Sequence, residues 1–431
     1  MVKLRLFAAL FLILCLTASL YASDTTQEKL AASQPAVSEK VESNVKAEPV
    51  IKTEPDTKPP MSETTITPYK SNPAAVKAVE KNMSLFTDKI KEKFSLWLSR
   101  SGKYLELMKE ILKSKNIPED IVFLPLIESG FNPYAYSVAR AVGPWQFISS
   151  TAKRYGLVID WWRDERRDPA KSTEAAANYL NDLHEMFGSW NLAMAAYNAG
   201  EGKILRALNR SRADDYWSLL KTRHIKTETK DYVPKFIAAS MIAVNPEEFG
   251  FENIEYHQPL DYDEVTVNGP IDLEVAAGCA DTTIEVIRDL NPELRRWCTP
   301  PDISVYMLRI PSGTKELFLK NLADIPEDER FTVETYTVKK GDTVKGIAKN
   351  TGATVKAILV LNSMDKIKPL KPGTRIFLPP KEKFQLDRDD RFEIRKASFK
   401  KSKKCRSVKR CKSATKNKKL LVTSLDNKKK V

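Results

Sequence analysis

Pro125-Leu126-Ile127-Glu128-Ser129-Gly130-Phe131-Asn132-Pro133 places one carboxyl just after the apolar run Ile121-Val122-Phe123-Leu124, with Leu126 and Ile127 beside it. Folding takes a carboxylate in that setting out of water, which disfavours its charged form and raises its pKa. A carboxyl kept protonated near neutral pH can donate a proton to a leaving group. A lone Glu at a helix end is more often a solvated surface residue. The sequence that follows it changes the weighing.

Ser137 comes nine residues later, in Ala135-Tyr136-Ser137. Then follow Gly143-Pro144-Trp145-Gln146-Phe147, Ala195-Ala196-Tyr197-Asn198-Ala199-Gly200 and Glu228-Thr229-Lys230-Asp231-Tyr232-Val233-Pro234. Each stretch alone is a weak signal, and the four in this order are a specific one. The set resembles the lysozyme-like lytic transglycosylases that cut bacterial peptidoglycan, in particular the membrane-bound lytic murein transglycosylase D type. The resemblance runs from about residue 74 to residue 250.

It implies a mainly α catalytic domain, and the residue pattern agrees. Val76, Val79, Met83, Phe86, Ile90, Phe94, Trp97 and Leu98 recur at helical steps, predicting one long helix broken at Ser101 or Gly102. Tyr104, Leu105, Met108, Ile111 and Leu112 line the next helix. Pro118 opens a third at a permitted first-turn position, and that helix leads to Glu128. Further helices are expected over about 149–155, 172–187, 191–197, 203–208 and 232–244.

The resemblance also implies roles. Glu128 matches the family's single acid/base. Ser137 matches a serine that bonds this Glu or the substrate acetamido group. Gln146 matches the glutamine of a Gly-Leu-Met-Gln type motif, although Pro144-Trp145 stands here where Leu-Met is commoner. Tyr197 and Asn198 match a Tyr-Asn pair facing the cleft, the Tyr to stack on sugar and orient Glu128. Glu228 matches a sugar-contacting Glu, while Tyr232 reads as core. Ordinary glycosidases need two carboxylates. The only acidic cluster near Glu128, Asp164-Glu165-Arg166-Arg167-Asp168, alternates in sign and reads as internal ion pairs. In the family one Glu suffices, because the muramic acid 6-hydroxyl attacks its own anomeric carbon. Trp145, Trp161, Trp162 and Trp190 could line a sugar groove, but helix packing is the simpler expectation for each.

The 431 residues leave room for more than one domain. Lys3 and Arg5 precede an apolar run from Leu6 to Leu16, too short to span a bilayer and expected as a signal peptide over 1–22. Residues 23–72, rich in Pro, Ser, Thr, Glu and Lys, are expected as a disordered linker. The catalytic domain is placed at 73–250. Around Tyr336, Thr335–Val338, Lys340-Gly341-Asp342-Thr343, two helical stretches, Leu361-Asn362 and Thr374–Pro379 resemble a LysM module, a βααβ unit that binds N-acetylglucosamine-containing glycans, here placed at 331–380. A degenerate copy is read at 255–312, with Asn268-Gly269-Pro270 in place of the Gly-Asp-Thr turn.

The net charge of +14 is a local matter. Residues 391–431 hold 17 Lys/Arg and 2 Asp/Glu, so the other 390 residues sum to −1. The region 381–431 is read as a basic disordered tail, with attraction to anionic envelope surfaces as its functional reading. A nucleic-acid-binding fold is not implied. Among five cysteines, Cys279 and Cys298 are expected to form a disulfide in an oxidising compartment, with a zinc site as the rival, and Cys405 and Cys411 lie closer still in sequence with their pairing open. His184, His224 and His257 lie far apart, so no metal or cofactor is expected. The chain thus reads as an exported periplasmic or envelope protein whose partner is peptidoglycan, with membrane association through a lipid on Cys15 as the minority reading, because Leu14 stands where a lipid-attachment site needs a small residue. A muramidase using water and a silent glycan-binding protein are the alternatives.

Overall fold

In the computed structural model, residues 69–391 other than 71, together with residue 394, are described. The signal peptide, nearly all of the linker, most of the basic tail and the Cys405–Cys411 pair lie outside them. Ten helices build the first body: α1 (Pro73–Ser84), α2 (Lys91–Ser101), α3 (Leu105–Ser114), α4 (Leu124–Glu128), α5 (Ser149–Arg154), α6 (Pro169–Phe187), α7 (Trp190–Ala199), α8 (Glu201–Ser211), α9 (Tyr216–Leu220) and α10 (Thr227–Val244). No described helix is long and apolar enough to cross a membrane.

Local chemistry sets the helix ends. Asn72 accepts from the amides of Ala74 and Ala75, with Pro73 in the first turn of α1. Asn72 and the buried Tyr69 therefore belong to the fold rather than to the linker assigned to 23–72. Asp168 caps α6 by accepting from Lys171 N at 2.9 Å. The expected long helix from 76 to 98 is interrupted. Residues 85–89 form a π turn and Ile90 leaves helical geometry, with Asp88 accepting from the hydroxyls of Ser84 and Thr87. Short polar side chains that bond locally offer the backbone this alternative to a continuous helix.

α7 packs on α6 and α10, and α10 also packs on α1. Ala175, Ala176 and Ala177 are buried and small enough for close helix approach. α10 carries Pro234 in its interior. Proline cannot donate to the carbonyl four residues back. That carbonyl, Lys230 O, instead accepts from the Tyr216 hydroxyl at 2.9 Å, so the helix continues past the proline.

Two modules follow. In the first, β1 (Tyr262–Asn268) pairs antiparallel with β2 (Val305–Pro311), Val265 opposite Leu308. Between them lie α11 (Leu273–Cys279) and α12 (Ile284–Leu290), and α13 (Lys315–Ala323) closes the core with fully buried Phe318. The module extends past residue 312, because Phe318 of α13 is buried in one core with Val265, Leu273 and Leu308 and Leu322 packs against it. In the second, β3 (Glu334–Thr337) pairs with β4 (Arg375–Leu378) around α14 (Val344–Thr351) and α15 (Val355–Leu361). One asparagine does the same work in each. Asn291 Nδ2 donates to Ile287 O and Arg309 O while Oδ1 accepts from Arg309 N. Asn362 makes the matching set with Ile358 O, Phe377 O and Phe377 N.

Cys279 and Cys298 are free thiols, both buried. The expected disulfide is absent because the two side chains pack in different clusters, Cys279 inside the first module and Cys298 among Trp161, Trp162 and Trp297. The same cluster contains Phe331, Ala357 and Phe384, so the second module is packed against its neighbours.

Residues 381–391 correct the tail boundary. Phe384 stacks on Trp161 at 6.1 Å. Asp387 and Asp389 accept from Arg295, and Asp390 accepts from Arg296 Nη1 at 2.7 Å. Composition read the segment with the Lys/Arg run beyond it, whereas its three aspartates are fixed by buried guanidinium groups. Arg296 and Asp390 are 4% and 7% exposed. Removing one partner of a buried pair leaves an uncompensated charge. Asp390→Ala is expected to destabilise the protein by about 3 kcal/mol in urea unfolding, and Asp390→Asn by less. Equal stability of Asp390→Ala and the parent would show that the pair does not hold the segment.

Candidate active site

Glu128 is the last residue of α4, a five-residue helix too short to be stable by itself. It is held by what surrounds it. Pro125 O accepts from Ser129 N, and Ser129 Oγ donates to Pro144 O at 2.8 Å, tying the acid's helix to the Gly143-Pro144 loop. Gly130 has φ +60°, and a Cβ there would lie 2.2 Å from the Trp97 ring, so both the backbone and the packing need glycine. Arg100 Nη1 donates to Gly130 O at 2.7 Å.

The Glu128 side chain is half-buried at the wall of the domain. Burial pushes its carboxyl up to about 7; the nearby negative Glu228 adds to the rise, while the Tyr232 hydrogen bond and Lys235 oppose it. The Tyr232 hydroxyl donates directly to Glu128 Oε1. Tyr232 is 6% exposed and burial holds its own pKa well above 10, so it remains a donor. Tyr232, which the sequence reading left in the core, is thus the closest partner of the acid. The available signal was its position one helical turn after Glu228, in a stretch already singled out.

Tyr197 takes a different part from the one expected. Its hydroxyl donates to Trp145 O at 2.7 Å and its ring meets Phe147 edge-on at 6.2 Å. It braces the loop carrying Gln146 and lies near enough to Glu128 for that carboxyl's charge to add to the rise of the tyrosine's pKa, while Tyr232 makes the hydrogen bond to Glu128. Gln146 has φ +49° and its Nε2 donates back to Gly143 O at 2.9 Å. Ser137 closes its own turn: its amide donates to Ala141 O and its Oγ accepts from Ala141 N at 3.0 Å. Asn198 Oδ1 accepts from Thr229 Oγ1 at 3.2 Å. Glu228 is exposed in the first turn of α10 and reaches Glu128 through its charge. Glu128, Tyr232 and Glu228 are therefore coupled directly; Ser137 and Gln146 bond within their own loop, and Asn198 bridges from α7 to Thr229 of α10.

The loop itself rests on Arg166. This guanidinium makes a bidentate pair with Asp164, at 2.8 and 2.7 Å, and donates to Arg140 O and Phe147 O. A Cβ at Gly143 would sit 1.7 Å from Arg166 O, which is why this loop position is glycine. Trp145 is fully buried with Nε1 on Thr173 Oγ1 at 2.8 Å, Trp161 and Trp162 pack on Trp297, and Trp190 stacks on His184. All four tryptophans are occupied by packing. Among the described residues no cluster could hold a metal ion.

Residues 106–220 match the family described as the transglycosylase SLT domain. Residues 261–327 match the LysM-like domain of lytic transglycosylase MltD, and residues 336–379 the LysM domain. Membrane-bound lytic murein transglycosylase D of Escherichia coli (strain K12) is 31% identical over 288 residues, 64% of this chain and 63% of that protein. The chain thus matches a little under two thirds of that relative's length. Membrane-bound lytic murein transglycosylase C of Haemophilus ducreyi is 26% identical over 171 residues, 34% of this chain and 47% of that protein. Among solved structures, the 70 kDa soluble lytic transglycosylase of Escherichia coli aligns with 43% of this chain and 32% of its own at 22% identity and a TM-score of 0.31, too slight a likeness to bear on the fold. The chain thus carries a match to the transglycosylase SLT domain over residues 106–220, followed by a LysM-like domain of the MltD kind and a LysM domain.

Proposed function

We propose that the protein is a peptidoglycan lytic transglycosylase, acting in the cell envelope to cleave the β-1,4 bond between N-acetylmuramic acid and N-acetylglucosamine. The observation that carries this reading is one carboxyl, Glu128, raised to about 7 by burial and held by the Tyr232 hydroxyl. Protonated Glu128 gives its proton to the glycosidic oxygen as the bond to the anomeric carbon breaks. The resulting carboxylate then takes the proton of the muramic acid 6-hydroxyl, whose oxygen bonds the anomeric carbon and gives a 1,6-anhydro end. Intramolecular attack gains from proximity, so no second carboxylate has to hold a water.

Tyr232 suits both halves of that cycle. Its hydrogen bond favours the charged carboxylate, which helps a buried acid release its proton. Gln146, Ser137 and Asn198 supply amide and hydroxyl groups for the acetamido substituents, and Glu228 sets the field on the acid. The LysM domain at 336–379 holds N-acetylglucosamine-containing strands, and the likeness to membrane-bound relatives supports an envelope location.

Glu128→Gln is expected to lower release of fragments from purified sacculi by about 10²–10⁴-fold while sacculus binding persists. Mass spectra of the parent's products should show anhydro ends. Release by the variant at the parent rate would remove Glu128 from the mechanism, and reducing ends alone would mean that water is the attacking group.

The donor form of Glu128 exists below its pKa, so kcat/KM should fall as pH rises through about 7. Tyr232→Phe removes a contact that lowers this pKa and should move the alkaline limb upward. Glu228→Gln removes a charge that raises it and should move the limb downward. A pH profile in which the two variants shift in the same direction would contradict the assigned couplings.

A further inference from the structure

A cleft of about 240 Å³ opens between α8 and the start of α10. Asn198 and Glu228, two residues of the candidate site, form part of its wall, and the Glu228 charge acts on Glu128. Besides His224 and Thr229, its remaining polar lining is cationic: Lys203, Arg206 and Arg210 from α8, and Lys226 just before α10. The three α8 residues are three and four positions apart and share one helical face. Like charges at that spacing weaken a helix, so this stripe opposes the stability of the element that carries it.

Among the described residues, none of the four cations is held in an ion pair. Glu201, the carboxylate at the start of the same helix, is taken by Arg154 at 3.2 Å and by the Tyr179 hydroxyl at 3.1 Å. Glu228 is then the only carboxylate lining the cleft, against four positive groups. The surplus is local, because the first 390 residues together sum to −1. A concave site lined by one sign of charge focuses its field on a ligand of the opposite sign.

We propose that this cleft binds the carboxylates of the peptide stems borne by the glycan, and that Lys203, Arg206 and Arg210 make the enzyme prefer peptide-bearing strands. The inference rests on the reading of peptidoglycan as substrate. In that polymer the muramic acid lactyl ether carries a short peptide ending in carboxylate. A stem leaving the sugar held at Glu128 would meet free cations on the Glu228 side. Arginine forks pair with carboxylates bidentately, and the lysines add charge without fixed geometry.

The test compares two substrates, intact peptidoglycan strands and the same strands stripped of peptide by an amidase. The parent protein and the triple variant Lys203→Gln, Arg206→Gln, Arg210→Gln are assayed on both. Losing three exposed charge pairs should raise KM on intact strands about tenfold. On stripped strands KM should change less than about twofold, with kcat kept on both, and the difference should shrink as salt is added. The double variant Arg206→Lys, Arg210→Lys, with Lys203 kept, retains the charges and should stay within about threefold of the parent on intact strands. Equal KM for parent and triple variant on intact strands would overturn the proposal. So would an equal loss on both substrates, which would mark a general effect on glycan binding or folding. If the parent cuts neither substrate, the transglycosylase reading falls and this inference falls with it.

Discussion

One carboxyl that folding withdraws from water sets the terms for the rest of the helical body that carries it. Desolvation of Glu128 is the largest influence on its proton affinity, and it outweighs a direct hydrogen bond from Tyr232. The balance requires two elements that could not exist alone. α4 is a single short turn, and α10 must pass through Pro234 two residues after Tyr232. Tyr216 supplies the donor that the proline lacks, so a hydroxyl on α9 keeps α10 regular next to the residue that touches the acid. An account of the site that stopped at Glu128 would miss why the tyrosine is in reach of it.

The charged stretch 164–168 shows how the site loop and the following module are joined. Arg166 and Asp164 are both almost fully buried and make a bidentate pair; the same guanidinium caps the carbonyls of Arg140 and Phe147. Glu165 accepts from Val158 N and pairs with Lys171 at 2.7 Å. Asp168 caps α6 and pairs with Arg309 of the first module at 2.9 Å. Buried charges are costly unless each is matched. Here the matching partners come from the site loop, from α6 and from the module, so one charge network fixes all three. The sequence reading of internal ion pairs held for Asp164 with Arg166, while the pair made by Asp168 crosses to the module.

Local and periodic features were legible from residues alone. The helices on each side of the site, the glutamate after its apolar run and the repeated strand–helix–helix–strand order follow from spacing and turn chemistry. What was not legible depends on partners distant in sequence. Tyr232 has the periodicity of a core residue, and only the position of Glu128, 104 residues earlier, gives its hydroxyl a purpose. Cys279 and Cys298 are near in sequence yet pack in separate clusters. Asp387, Asp389 and Asp390 sit at the edge of a Lys/Arg-rich run, and composition hides that their partners are Arg295 and Arg296.

The first module explains its own departure from the LysM pattern. It retains the asparagine clamp between its second helix and second strand, which is a folding requirement shared with the other module. In the second module Asp342 of the Gly-Asp-Thr turn accepts from Lys339 N and the Tyr336 hydroxyl, both at 2.8 Å, and Thr343 caps α14. The first has Asn268-Gly269-Pro270 there and ties Gly269 N to Ser304 O instead. Its segment after the clamp is committed to the catalytic body: Glu293 O accepts from Asp164 N, Arg295 N donates to Trp162 O and Arg296 Nε to Trp161 O. The two modules have thus kept the same asparagine clamp and differ in the segment around it: the first is bonded to the site loop's neighbours through residues 293–296, and the second keeps the Gly-Asp-Thr turn.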